Sequence, residues 1–160
     1  MIRILLVEDN DNDARITESV LKIATRESFM YTRVVDLASA ILACDNTQAF
    51  DVVLLDLSLP DSSGLTTFTQ FNTSTYGCLP VVILSGLSDP KIATEAVKMG
   101  AQDYITKDEL IPGVICRSLR YAIERHKSSE EHLHRSKIEL ETARQKLIEI
   151  ADSLHTKIIR

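Results

Sequence analysis

The stretch Val52-Val53-Leu54-Leu55-Asp56-Leu57-Ser58-Leu59-Pro60 decides the fold. Four apolar residues, two of them β-branched, run without alternation into one carboxylate, and a proline follows four positions later. A short apolar run of this kind predicts a strand buried on both faces, as in a parallel sheet covered by helices. An acid at the tip of such a strand then calls for a chemical reason.

The rest of the chain repeats the pattern. "IRILLV" (2–7), "FMYTRVV" (29–35), "DVVLLD" (51–56), "LPVVILSG" (79–86) and "QDYIT" (102–106) are predicted strands. Between them, "NDARITESVLKIA" (12–24) places Ala14, Ile16, Val20, Leu21 and Ile23 at helical spacing. "DLASAILACDN" (36–46) is a short helix with Asp36 as its N-cap, and the threonine-rich "SSGLTTFTQFN" (62–72) is a third. "SDPKIATEAVKMG" (88–100) opens on a cap and a proline and closes on glycine, the expected punctuation of a helix. After Pro112 a helical pattern runs to the end. Five β-α repeats predict an α/β fold with a parallel sheet and right-handed crossovers. In such sheets the functional site lies beyond the carboxyl ends of the strands.

Those ends carry polar residues. The first strand ends in Glu8-Asp9, the third in Asp56, the fourth in Ser85, and Lys107 follows the fifth. Three carboxylates gathered at one sheet edge repel one another and need a cation. Oxygen-only ligands favour Mg²⁺, which takes one or two carboxylates and keeps water and phosphate oxygens for the rest. A lysine is a compact charge suited to a phosphoryl oxygen, and a serine hydroxyl can donate to another. The set suits in-line phosphoryl transfer, in which positioning and charge neutralisation supply most of the catalysis. A carboxylate nucleophile forming an acyl phosphate is a recognised form of that chemistry.

Composition narrows the class. The chain has 160 residues, 44% of them hydrophobic, enough for one domain with an appendage. No apolar run approaches the ~20 residues of a membrane span, and the apolar stretch of "MIRILLVEDN" is too short for a signal peptide, so a cytoplasmic protein is expected. Cys44, Cys78 and Cys116 have no metal or disulfide spacing and are expected to be small core residues. Residues 1–113 carry a net −8 and residues 114–160 a net +3. The basic segment offers only Tyr121 for base stacking, so direct nucleic-acid binding is not expected.

Taken together, Glu8-Asp9, Asp56, Pro60, Gly64, Ser85, Tyr104 and Lys107 make residues 1–125 resemble the receiver domain of two-component response regulators. The resemblance implies a flavodoxin-like (βα)5 sheet of order 2-1-3-4-5. It implies that Asp56 accepts a phosphoryl group from the phosphohistidine of a sensor histidine kinase or phosphotransfer protein. Asp9, Asp56 and the backbone carbonyl of Ser58 would hold Mg²⁺, with Glu8 acting mainly through a metal-bound water. Lys107 would contact the phosphoryl group, Ser85 would move to bond it, Tyr104 would swing inward, and Gly64 would relieve the turn after the site. In that family a proline usually follows the lysine, through a cis bond; here Asp108 follows, and a cis bond without proline costs roughly 2.5–4 kcal/mol. The neighbouring Asp108-Glu109 are expected to cap the next helix.

Residues 126–160 are expected to continue the fifth helix as a coiled coil. Leu119, His126, Leu133, Leu140, Leu147 and Leu154 recur every seven residues, with Ala122, Ser129, Ser136, Ala143, Ile150 and Lys157 three later. Across a parallel homodimer Arg125 would face Glu130 and Glu139 would face Arg144. An amphipathic helix packing on its own domain, or in a bundle, is the alternative. Such helices often lead to an output domain, so the sequence is expected to be a piece of a longer regulator, whose missing output domain could be an enzyme. The chain itself is expected to catalyse only its own phosphorylation and dephosphorylation. The competing expectation is a dimerisation scaffold with an inert receiver fold. A phosphohydrolase would commonly carry a second aspartate two residues after Asp56, where this chain has Ser58.

Overall fold

The five apolar runs become one five-stranded parallel sheet. The computed structural model describes residues 1–24, 28–45 and 49–159. Its elements are β1 (Ile2–Val7), α1 (Asp11–Ile23), β2 (Phe29–Val34), α2 (Leu37–Ala43), β3 (Val52–Leu55), β4 (Ser58–Leu59), β5 (Ser62–Ser63), α3 (Leu65–Ser74), β6 (Val81–Ser85), α4 (Pro90–Lys98), β7 (Asp103–Thr106) and α5 (Pro112–Ile159). The sheet order is β2-β1-β3-β6-β7. Setting aside the two-residue pair β4–β5, this is the flavodoxin-like order 2-1-3-4-5. Register is continuous across the middle, with Val7 opposite Leu55 and Leu55 opposite Ile83, so the ends of β1, β3 and β6 stand side by side.

Each central strand buries both faces. Leu5, Val7, Val53 and Leu55 face one core with Leu37, Ala40, Phe68, Phe71 and Ala96 from α2, α3 and α4. Ile4, Leu6, Val52 and Leu54 face the other with Ala14 and Leu21 of α1 and Ile115, Leu119 and Ala122 of α5. This two-sided burial is why β3 shows no polar alternation. Among the described residues every fully buried side-chain nitrogen and oxygen has a partner. No helix among them is long and apolar enough to cross a membrane.

Helix starts follow the expected capping chemistry. Asn10 accepts from the amides of Asn12 and Asp13 at the start of α1, Asp36 from Ser39 at α2, and Asp89 from Lys91 at α4. Asp108 and Glu109 instead lie in a single 3₁₀ turn, Lys107–Glu109, before α5. The expected second helix extends to Asn46, which lies outside the described residues; the observed α2 ends at Ala43. The expected third helix begins three residues early. Ser62 and Ser63 pair with Leu59 and Ser58 instead, and Gly64 turns the chain into α3 with a φ of 67° that a side chain rarely adopts. Of the cysteines only Cys44 is buried; Cys78 is exposed and Cys116 intermediate, so the expectation of three core residues is corrected. Burial pushes the Cys44 thiol up to about 11.

The chain divides into two compact units, Met1–Arg125 and His126–Arg160. Within the first, the start of α5 buries Leu119 and Ala122 completely. Leu119 therefore belongs to the sheet's core and is not available to a second helix, which corrects its place in the seam. Arg125 bonds the side chain and backbone oxygens of Gln102, and so already has a partner within its unit. In the second unit His126 faces Glu130 at 3.3 Å, one helical turn on. There the leucines at 133, 140, 147 and 154 are each more than half exposed.

Candidate functional site

The site is assembled where β1, β3 and β7 end. Glu8 follows β1 and is 1% exposed; Asp56 follows β3 and is 4% exposed; Asp9 is on the surface. One carboxylate oxygen from each lies within 4.8 Å of the others. Lys107, in the turn after β7, points its ammonium into this group, 2.8 Å from Glu8 Oε2 and 3.2 Å from Asp56 Oδ2. The sequence reading's four charged candidates are thus brought together.

A fourth acid joins them. Asp13, in the first turn of α1, accepts the shortest of the lysine's bonds, 2.7 Å from Nζ to Oδ2. It is missing from the strand-end reading because its position depends on the rotation of α1. Its place one turn after Asp9 was the available signal, since first turns of helices gather at the carboxyl ends of parallel strands. Arg33 is a second addition. It sits on β2 opposite Leu6 and donates to the backbone carbonyls of Glu8 (2.9 Å) and Asp9 (3.2 Å) while pairing with Asp11 (2.9 Å). It fixes the backbone from which the two acids project.

The electrostatics follow from four acids around one ammonium. Burial raises the Glu8 carboxyl to about 7, and the charge of Asp56 adds to this; Lys107 and the Asn10 amide oppose it. Burial also works against a charged Lys107, but hydrogen bonds to Asp13 and Glu8 and the charge of Asp56 outweigh it and hold the lysine above its ordinary value. With a single lysine against four carboxylates, the cluster remains short of positive charge. The donors are all oxygen, which is the chemistry a hard divalent cation requires.

The remaining candidates surround this group. The Ser58 amide donates to Asp56 Oδ1 at 3.2 Å. Ser85 ends β6, is fully buried, and accepts the Leu87 amide at 3.1 Å. Tyr104 on β7 is half-buried and donates its hydroxyl to the Leu87 carbonyl at 2.7 Å. Ser85 and Tyr104 therefore hold the two ends of the same residue and are not bonded to the acids. No peptide bond among the described residues is cis, so Lys107–Asp108 is trans and the ammonium still reaches its acids.

A doubly wound sheet with a carboxylate cluster and a lysine at its strand tips defines a class of protein that carries its site at that edge, here with acids that could hold a metal ion. Residues 4–115 match the model of the response regulator receiver domain, and the chain belongs to that family. It is 36% identical over 115 residues to the cell cycle response regulator CtrA of Brucella ovis, a match covering 69% of this chain and 47% of that protein. The chain thus spans about half the length of the curated relatives it matches. A response regulator receiver domain protein from Clostridium thermocellum superposes with a TM-score of 0.67 at 23% identity, over 79% of this chain and 98% of the other. A fusion chain carrying the yeast Spc42 trimeric coiled coil matches at 0.67 and 18% identity, over 99% and 96% of the two chains. Membership in this family makes the chain a receiver domain of a two-component response regulator.

Proposed function

We propose that Asp56 is the phosphoacceptor of a phosphorylation switch. The supporting observation is the direct contact of Lys107 with both Asp56 and Glu8, with Asp9 in the same cluster. An Asp56 carboxylate oxygen forms the new bond to phosphorus as the phosphorus–nitrogen bond of the donor's phosphohistidine breaks. Lys107 orients the incoming phosphoryl group and offsets its charge. Mg²⁺ would be held by Glu8, Asp9, Asp56 and the Ser58 backbone carbonyl, Glu8 mainly through a bound water, and would supply neutralisation of the phosphoryl oxygens. The donor is a sensor histidine kinase or a phosphotransfer protein.

The switch follows from the shared grip on Leu87. An acyl phosphate places roughly two negative charges and three acceptor oxygens beside Ser85's strand. When the Ser85 hydroxyl turns to donate to one of them, it releases the Leu87 amide that it accepts in the resting state. The loop can then move, and the Tyr104 hydroxyl loses its carbonyl partner and swings inward. The population shifts only as far as phosphate favours the second arrangement.

The second unit serves output. Its four exposed leucines at seven-residue spacing meet the same leucines of a second copy in a parallel homodimer. Of the two cross-helix pairs the sequence offers, Glu139 with Arg144 remains, since Arg125 is taken by Gln102. The whole regulator carries an output domain or partner beyond this receiver, consistent with relatives of about twice the length. A beryllofluoride titration with Mg²⁺, followed by NMR at Asp56, tests the switch. Saturable binding lost in Asp56→Asn is expected. No binding, or equal binding by the variant, overturns the reading in favour of an inert scaffold.

A further inference from the structure

Lys107 has a stoichiometric constraint. An ammonium has three N–H donors, and three carboxylates occupy them: Asp13 at 2.7 Å, Glu8 at 2.8 Å and Asp56 at 3.2 Å. A phosphoryl oxygen can receive a full bond from Nζ only when one of these is given up. Glu8 and Asp56 are buried and belong to the acid group that would hold Mg²⁺, whereas Asp13 lies outside that group, so its hold on Lys107 is the one that persists once metal is bound. The Asp13 side chain is 36% exposed and can be rehydrated. Its backbone is held from behind: its amide donates to Asn10 and its carbonyl accepts the Thr17 hydroxyl, so α1 fixes the position from which the carboxylate projects.

We propose that Asp13 is a positioning residue that holds Lys107 in the resting state and competes with the phosphoryl group for it. This inference rests on the phosphoacceptor reading of Asp56. Asp13 touches neither the phosphoryl group nor the nucleophile; it acts through the lysine. By holding back the third donor it weakens the phosphorylated arrangement and shortens its lead over the resting one. A receiver with a neutral side chain at 13 is biased toward the phosphorylated state.

The test is beryllofluoride affinity at saturating Mg²⁺, with Mg²⁺ affinity measured separately, in the full chain. Asp13→Asn should tighten beryllofluoride binding by about fivefold, the order expected for one part-exposed charge-assisted hydrogen bond, and Asp13→Glu should return it toward wild type. Asp11→Asn removes the same charge from the same turn, but Asp11 pairs with Arg33 and not with Lys107; it should change the affinity less than about twofold. In a Lys107→Ala background the effect of Asp13→Asn should disappear, because coupling between contacting residues requires both. Equal gains from Asp11→Asn and Asp13→Asn would mean a general charge effect and overturn the proposal. An unchanged affinity in Asp13→Asn, or a gain that persists without Lys107, would overturn it as well. Failure of the wild-type protein to bind beryllofluoride at all would instead sink the phosphoacceptor reading beneath it.

Discussion

At the scale of single residues, the charges around Lys107 make a metal-dependent stability the expectation. Glu8 and Asp56 are almost fully buried, and Lys107 compensates both. Removing one partner of such a group strands the others, a loss of about 3 kcal/mol or more. Lys107→Ala should therefore lower the denaturation midpoint clearly without Mg²⁺ and much less with it; equal losses in both conditions would refute this account. Proton linkage gives a second expectation. The Glu8 carboxyl is raised from 4.5 to about 7, so the folded, metal-free protein holds a proton there that the unfolded chain has lost. Stability from this group is full below about 4.5 and falls as pH rises through about 7. A cation at Glu8 needs the ionised form, so binding releases that proton below pH 7. Mg²⁺ affinity should thus rise by up to about tenfold per pH unit below 7 and flatten above it, and Glu8→Gln should reduce the slope. Titration calorimetry at several pH values checks this. The sequence disclosed Glu8, Asp9, Asp56 and Lys107 because apolar runs mark strand ends, and strand ends mark the site. Asp13 and Arg33 stayed hidden because one depends on the turn of a helix and the other on a long side chain reaching across a neighbouring strand.

At the scale of elements, helix α1 ties folding to the site. Asn10 accepts two amides at its start, one of them that of Asp13. Asn10→Ala should cost about 1 kcal/mol, the usual worth of such a cap, measurable by urea denaturation. The same substitution loosens the turn that presents Asp13 to Lys107, so the site should sense it too. Helix α3 illustrates the opposite balance. Its sequence, rich in threonine, has poor intrinsic propensity, yet Phe68 and Phe71 are fully buried against the sheet and hold it in place. Phe71→Ala should cost about 3–5 kcal/mol, far more than any surface change in that helix. These two helices show how much the sequence could say. Strands and capped helices were readable to within a few residues, because burial on both faces and cap chemistry are local signals. The pair β4–β5 was not, because it is closed by tertiary contacts: Thr67 of α3 shares a hydrogen bond with Ser62, and the Gly64 amide reaches back to Leu57. No periodicity records that. The family's proline after the lysine also proved dispensable for bringing the ammonium to Asp56, since the trans bond before Asp108 leaves Lys107 within reach.

At the scale of the whole molecule, the two units bury their apolar residues differently. Residues Met1–Arg125 enclose two complete cores around the sheet, and Leu119 and Ala122 of α5 belong to one of them. Among the described residues of His126–Arg160 none is buried, and Leu133, Leu140, Leu147 and Leu154 are 57%, 71%, 68% and 54% exposed. Lone helices gain little in water, and most helical stability in proteins comes from packing an apolar face. In the pairing proposed above, a second copy would offer a matching stripe in the same register. Leu119, the first position of the heptad reading, is claimed by the sheet, while the leucines at 133, 140, 147 and 154 are exposed. This separation sets the final expectation. Replacing Leu140 and Leu147 together by serine should convert a dimer to a monomer in sedimentation equilibrium and reduce helical circular dichroism. It should leave Mg²⁺ and beryllofluoride binding by the first unit unchanged, because neither leucine contributes to its cores. A monomeric wild-type protein that keeps full helicity would refute the paired-helix account. A three-stranded wild-type assembly would retain the seam and discard the dimer. Loss of beryllofluoride binding in the double variant would show that the receiver's site depends on the second unit.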